Sequence, residues 1–394
     1  MKNYKYTIYA SYVGYITQAI VNNLAPLLFL IFQAQFHFSL GQITILITLN
    51  FGIQLLVDLL SAKFVDRIGY RKCIVAAHVF AAAGLVGLAV FPFIFPMAYA
   101  GLLFAVVLYA IGGGIIEVLI SPIVEACPTD DKEAAMSLLH SFYCWGTVAV
   151  VLLSTGFLHF CGKENWRILA CLWAVIPLVN AFAFLKVPIL HLTEENEGLT
   201  IGQLLKSKLF WMFFVLMIAA GASEQAMSQW ASAFAESGLN VSKTVGDLAG
   251  PCVFSILMGS ARALYAKFSE HLDLLRFLVG SGILCVCSYL LAVFAPNAVL
   301  SLVGCGLCGL SVGIMWPGVF SLASARMRNG GTAMFALLAL AGDVGCSGGP
   351  TLVGQVAGAF GDNLKSGLAA AMIFPVILIL FTLMLKKEKK GSLS

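Results

Sequence analysis

Apolar residues run through this chain in long unbroken stretches, separated by short polar gaps. The stretches fall at 7–32, 41–62, 73–95, 98–124, 134–159, 166–187, 209–235, 246–268, 273–294, 299–325, 331–356 and 364–385. Each is long enough to cross the ~30 Å hydrocarbon core of a bilayer as a helix. They are numbered here as spans 1 to 12. The longest polar gap is the central one, from Pro188 to Lys208, and it holds Glu194, Glu195, Asn196 and Glu197. It divides the chain into an N-terminal six-helix bundle (1–187), a linker expected to be cytoplasmic (188–208) and a C-terminal six-helix bundle with a short basic tail (209–394). The expected fold is an all-α integral membrane protein of twelve transmembrane helices in two pseudo-symmetric halves.

Composition narrows the picture. Charged residues make up only 11% of the 394 positions and apolar ones 60%. A water-soluble chain of this length has no single core large enough to hide that much apolar surface. The net charge of +4 is not a nucleic-acid signal, because the basic residues sit in short loops and at the tail. With both termini placed in the cytoplasm, eighteen of the 23 Lys and Arg residues fall inside. Lys163, Arg167, Lys243 and Lys365 fall outside, and Arg262 lies within a span. That asymmetry sets an orientation. Lys2 and Lys5 precede an apolar stretch that runs on without a cleavage site, so the first segment reads as an uncleaved helix.

The halves repeat. Residues 62–72 read AKFVDRIGYRK and residues 266–276 read AKFSEHLDLLR. Span 4 has Pro122 and span 10 has Pro317 in comparable places. Duplicated halves are a device for building a solute site near the bilayer midplane, where the halves face each other.

The stretch from Asp66 to Lys72, D-R-x-G-x-R-K, resembles the signature that the major facilitator superfamily carries between its second and third helices, with Ser61 where that pattern has glycine. The likeness extends over essentially the whole chain. Two further stretches are similar to the fucose permease branch, whose members carry sugars with protons: GIMWPGVFSL at 313–322 and Asn22-Asn23-Leu24 in span 1. The resemblance gives Glu117 of span 4 the place of that branch's proton-handling glutamate. The branch's span 1 acid aligns with Pro26 here, so half of the expected carboxylate pair is absent or relocated.

Ionisable groups inside a bilayer are costly, about 2.5–3.5 kcal/mol each at a helix centre, and so point to function. Glu117 is an acid in an apolar stretch, disfavoured while charged, which suits it to taking up and releasing a proton. Glu224, in GASEQAMSQW at 221–230, is joined by Gln225, Gln229 and Trp230; amides beside an indole suit a polyol, whose hydroxyls they bond and whose C–H face they cover. Asp343, in AGDVGCSGGP at 341–350, is a second coupling acid or a partner for Arg262. Tyr15, Gln18 and Asn22 make a polar stripe on span 1, and Asn50, Gln54 and Asp58 make one on span 2, so both faces should turn inward. The expected coupling set is Glu117, Glu224 and Asp343. The expected solute set is Gln18, Asn22, Asn23, His140, Tyr143, Gln225, Gln229, Trp230 and Trp316. Asp66, Arg67, Arg71 and Lys72 are expected to latch the cytoplasmic side, with Asp58 as a further gate.

Other chemistry finds little support. Gly309-Leu-Ser311-Val-Gly313 fits a hydrolase elbow but lies inside an apolar helix, where its spacing suits close helix packing. Cys305 and Cys308 form a C-x-x-C on an apolar helix without a histidine nearby, so neither a metal nor a disulfide is expected. No cofactor and no enzymatic activity are expected. The expected function is proton-coupled symport of a small polar solute, a sugar first, by a monomer in a bacterial inner or plasma membrane. Proton-coupled efflux of an amphipathic compound, sodium-coupled uptake and a non-transporting membrane sensor are the alternatives.

Overall fold

A computed structural model describes the backbone of residues 4–128, 132–190, 199–268, 273–327 and 330–391, with the side chains at 62–64, 66–67, 125, 132–137, 266–268, 324, 331–333, 335–336 and 387–391 outside the description. Eleven helices among the described residues have the length and apolarity to cross a membrane. Gly331–Ala359, 29 residues long, occupies the position of span 11. The twelve-helix membrane fold is therefore present, and the chain forms two compact units, 1–194 and 195–394.

In the N-terminal unit the spans are Lys5–Phe36, Leu40–Ile68, Tyr70–Ile94, Ala98–Glu125, Lys132–Cys161 and Trp166–Lys186. Span 3 packs on spans 4 and 6, span 1 packs on spans 4 and 5, and span 2 packs on span 4. Their ends follow local chemistry. Ser39 opens span 2 with a capping box, its hydroxyl accepting from the Gln42 N–H while Gln42 returns a bond to the Ser39 N–H. Gly69 joins spans 2 and 3 with φ +93°, a conformation that favours glycine over any residue with a Cβ. That requirement explains the glycine of the D-R-x-G-x-R-K stretch.

The C-terminal unit is less regular. Span 7 runs as Lys208–Ser228, a turn at Ala231–Ala233 and a π-helical turn at Phe234–Gly238. Span 8 has Lys243–Asp247, a second π turn at Leu248–Cys252, and then Val253–Phe268. Span 9 is Leu274–Phe294, span 10 is Ala298–Val312 followed by Met315–Arg326, and span 12 is Leu364–Ala371 followed by Ile373–Gly391. The unbroken stretches expected at 209–235, 246–268, 299–325 and 364–385 are thus interrupted helices. For span 10 the cause is local: Pro317 has no N–H to give the carbonyl of Gly313 four residues earlier, and the helix opens there. Spans 8 and 10 meet through the Gly309–Gly313 spacing. A Cβ on Gly309 would lie 2.7 Å from the Phe254 carbonyl carbon, and one on Gly313 would lie 2.8 Å from the Met258 carbonyl oxygen. Ser311 donates to the Cys308 carbonyl at 2.6 Å. The elbow-like motif is a packing seam.

Large apolar side chains on the outer faces, such as Leu153, Phe160, Val179 and Phe294, are exposed. On a helix that crosses a bilayer this is the lipid-facing surface, where apolar side chains are at home and backbone polar groups are satisfied within the helix.

Candidate functional site

Each unit carries its own buried polar cluster. In the N-terminal unit, Gln18 and Asn22 lie one turn apart on span 1, and Asn50 and Gln54 lie one turn apart on span 2. All four are buried, Gln18 and Gln54 with only 2% of their surface accessible. The Gln18 Nε2 donates to Glu117 Oε2 at 2.9 Å and to Gln54 Oε1 at 2.8 Å. The Gln54 Nε2 donates to Asn22 Oδ1 and to Asn50 Oδ1, both at 2.9 Å. The Asn50 Nδ2 adds a bond to Asn22 Oδ1 at 3.2 Å. A continuous row of amides therefore leads to Glu117. Glycine at 114 lets span 4 approach: a Cβ there would lie 3.1 Å from the Gln54 Cα and 3.0 Å from the Val57 Cβ. Spans 2 and 4 run the same way, so four residues onward Asp58 comes level with Glu117, and its charge acts on that carboxyl. Among the described residues Glu117 has no cationic partner within ion-pair distance. One turn further along span 4, Ser121 is bonded to the Tyr15 hydroxyl at 3.0 Å.

The other N-terminal candidates lie around this row. His140 is exposed, with its ring 5.1 Å from that of Tyr15, and Tyr143 is half-buried one turn along. Asn23 departs from the expectation of a solute contact. Its amide turns to span 5, donating to the Ala19 carbonyl at 2.9 Å and to the Thr147 hydroxyl at 3.2 Å, so it braces two helices. Arg71 has a local task. Its guanidinium donates to the carbonyls of Phe184, Leu185 and Val187 at 2.6–2.8 Å, closing the C-terminus of span 6 where those carbonyls have no partner in the helix. Lys72 is exposed. The side chains of Asp66 and Arg67 lie outside the described residues.

In the C-terminal unit the cluster is built around an ion pair. Glu224 lies 3.6 Å from the Arg262 guanidinium and accepts from the Gln225 amide at 3.2 Å. Gln225 in turn accepts from Gln229 at 3.0 Å. The Arg262 Nε donates to the Gly313 carbonyl at 3.1 Å, the acceptor that Pro317 leaves open. The broken helix thus orients the arginine that meets Glu224. Asp343, expected as an alternative partner for Arg262, is buried on span 11. Next to it Gly342 makes room for the ring of Trp316, whose other neighbour is Phe320 at 6.2 Å between centroids. Trp230 does not offer the open aromatic face expected of it. It is 0% exposed and gives its indole N–H to the Pro350 carbonyl at 2.9 Å, because an indole buried in a helix bundle needs an acceptor.

Two clusters lie outside the sequence expectation. Lys243, counted as an outside charge, is 7% exposed and paired at 3.1 Å with Asp247, itself 0% exposed and bonded to the Ser232 hydroxyl. The lysine–aspartate spacing of four was the available signal. His78 of span 3 bonds the Ile74 carbonyl through Nδ1 at 2.8 Å and the Asn180 amide through Nε2 at 2.8 Å, while Asn180 also donates to the Ala10 carbonyl. Nothing in the local sequence of span 3 or span 6 announces that pairing. Cys305 and Cys308 are buried thiols on span 10, with the Cys308 sulfur 4.0 Å from that of Cys285.

Two six-span units, each with a buried polar cluster, define a polytopic membrane protein. A sequence profile described as the Major Facilitator Superfamily matches residues 11–350, and the chain belongs to that family. Solved structures share its fold over nearly all of both chains. A bacterial homologue of the human lysosomal transporter Spinster, solved inward-facing and occupied, superposes with a TM-score of 0.78 at 14% identity, covering 98% of each chain. A D-xylose-proton symporter gives 0.73 at 13%, covering 96% of each. The E. coli fucose:proton symporter gives 0.67 at 15%, covering 97% of this chain and 99% of that one. Among curated proteins, membrane protein MosC of Rhizobium meliloti is 24% identical over 276 residues, 68% of this chain. The chain spans 63% of the length of that relative.

Proposed function

We propose that this transporter is a proton-coupled symporter of a small polar solute, a sugar or similar polyol, and that Glu117 carries the proton. The supporting observation is the buried row Glu117–Gln18–Gln54–Asn22–Asn50, which joins one acid to four amides. Amides in bidentate reach of one another suit hydroxyl recognition, and an acid that has no cation within ion-pair distance among the described residues changes protonation state without stranding an opposite charge there. The solute contacts proposed in the C-terminal unit are Gln225, Gln229 and Trp316. Two fold neighbours are sugar–proton symporters by name, in agreement with this reading. Both termini are proposed to lie in the cytoplasm, with residues 188–208 as a cytoplasmic linker and Arg71 holding its end of span 6. The chain is proposed to act in a cell membrane by alternating access.

The experiment is uptake into liposomes of a panel of radiolabelled pentoses, hexoses and polyols, with an imposed proton gradient, an imposed sodium gradient or neither. Accumulation of at least one solute that follows the proton gradient and not the sodium gradient is the expected result. Accumulation driven by sodium alone would overturn the coupling assignment.

A further inference from the structure

The amides beside Glu117 are arranged in one sense. Gln18 uses both hydrogens of its Nε2, one on Glu117 and one on Gln54. Its Oε1 is buried and accepts no hydrogen bond. Gln54 shows its carbonyl to Gln18 and its Nε2 to the two asparagines. The row is thus polarised outward from Gln18, which gives one hydrogen to Glu117 and the other to Gln54, while Gln54 gives its own to Asn22 and Asn50.

Proton uptake disturbs that order in a definite way. A carboxylate only accepts, whereas a carboxylic acid has an O–H that must be given to an acceptor. If the proton settles on the oxygen facing Gln18, two donors confront each other. A half-turn of the Gln18 amide removes the conflict, because its idle Oε1 then accepts the new O–H. That oxygen has a second lone pair, which a half-turn of Gln54 fills with Nε2. The Gln54 carbonyl then faces Asn22 and Asn50 and calls for their Nδ2 groups. The Glu117–Gln18, Gln18–Gln54 and Gln54–asparagine contacts are kept with donor and acceptor exchanged, at the expense of the Asn50–Asn22 bond, and Gln18 Nε2 takes the place its Oε1 now holds; a row that failed to turn would instead set buried like groups against each other at a cost on the order of 1–3 kcal/mol. All four amides lie in the same low-dielectric surround, where one reorientation favours the next.

We propose that Gln18 and Gln54 form a polarity relay, which carries the protonation state of Glu117 on span 4 through spans 1 and 2 to Asn22 and Asn50, and so switches the hydrogen-bonding face those asparagines offer a solute. This rests on the reading of Glu117 as the proton carrier and supplies the link from proton to solute that a lone acid lacks. Gln18 and Gln54 are positioning residues in it. The titratable groups around Glu117 leave the amide route open. Among the described titratable groups, Asp58 of span 2 is a competing acceptor for the new O–H. Tyr15 is engaged with Ser121, and His140 lies beyond Tyr15. His78 of span 3 is held between Ile74 and Asn180.

The test needs only protons as ligand. The full-length protein in lipid nanodiscs, with asparagine side-chain carbonyls labelled with carbon-13, is taken from alkaline to acidic buffer and followed by infrared difference spectroscopy. A protonated-carboxyl band that is missing in Glu117→Gln is expected to appear. An asparagine carbonyl shift with the same midpoint, also missing in Glu117→Gln, is expected to accompany it. In Gln54→Met, and independently in Gln18→Met should the first variant fail to fold, the carboxyl band is expected to persist while the asparagine shift disappears. A loss of packing alone would move both signals or neither. A Glu117 band without an asparagine shift means that the proton is shared with Asp58, and it overturns the relay. An asparagine shift that survives both amide variants overturns it as well. The absence of a Glu117 band in the parent overturns the proton-carrier reading itself.

Discussion

The two halves solve the problem of a buried acid in opposite ways. In the N-terminal unit Glu117 is surrounded by amides, with a second acid, Asp58, as its charged neighbour. In the C-terminal unit Glu224 is matched by Arg262 at 3.6 Å, and the arginine is fixed in turn by the Gly313 carbonyl. Under the proposed function, the difference favours Glu117 over Glu224 as the acid that exchanges a proton. Neutralising Glu117 takes a counter-charge from no cation within ion-pair distance among the described residues. Neutralising Glu224 would take from Arg262 a counter-charge in a place of low dielectric, and breaking one side of such a pair costs about 3–5 kcal/mol. The N-terminal cluster is suited to titration and the C-terminal cluster to holding shape. This narrows the coupling set of Glu117, Glu224 and Asp343 toward its first member.

The largest effect that can break this contrast is expected from the acids themselves. Glu117→Gln should reduce accumulation under an imposed pH gradient to the level of protein-free liposomes while solute–solute exchange continues. Glu224→Gln should retain some gradient-driven accumulation. If Glu117→Gln still concentrates solute and Glu224→Gln or Asp343→Asn does not, the assignment of roles to the two halves is reversed.

Next in size is the ion pair. Arg262→Met should lower stability in detergent by about 3 kcal/mol, and the double variant with Glu224→Gln should recover most of that loss, because a buried pair replaced as a whole costs far less than one half removed. Equal losses in the single and double variants would show that the pair is not the source. A smaller effect is expected at the helix ends. Arg71→Leu removes three charged hydrogen bonds to span 6 and should cost about 2 kcal/mol. Arg326→Leu, which removes a bond to the Leu385 carbonyl at 2.9 Å, should cost about 1 kcal/mol. Thermal unfolding of the purified variants ranks them. The smallest effect separates packing from binding: Trp230→Phe should cost about 1 kcal/mol of stability and leave the half-saturation for solute unchanged, whereas Gln225→Ala should raise that half-saturation.

Much of this architecture was legible in the sequence because a bilayer imposes long apolar stretches and leaves little else to choose. The polar stripes of Gln18 and Asn22 on span 1, and of Asn50 and Gln54 on span 2, were readable from helical spacing, and they do meet. What spacing alone does not tell is the partner across the interface. Asn23 lies one residue from Asn22 and therefore turns about 100° away from it, to Thr147 instead of the cluster. Arg262 could be matched to Asp343 from the sequence, while its ion pair with Glu224 is accompanied by a bond to a carbonyl that Pro317 frees in a third helix. Trp230 looked like a binding face because its sequence neighbours are polar, yet its indole is spent on Pro350. Lys243 was read as a loop charge because it stands near the end of an apolar stretch, and the pairing with Asp247 draws it inward. For Asn23, Arg262 and Trp230 the deciding contact lies on another span, where no local pattern reaches, whereas the Lys243–Asp247 pair lies within span 8 and its spacing of four was there to be read.

The π turns at Phe234–Gly238 and Leu248–Cys252 have a mechanical consequence. Each holds one residue more than an ordinary helical turn, so everything beyond it is rotated by about 100° from the face a regular helix would show. Such a surplus residue is a mobile dislocation. Passed one step along the helix, it turns the segment it crosses while the turns on either side keep their hydrogen bonds. Spans 7 and 8 each carry one dislocation, on either side of the loop that joins them. The tip they form therefore has a way to swivel by twisting, without bending and without breaking the long helical segments behind it.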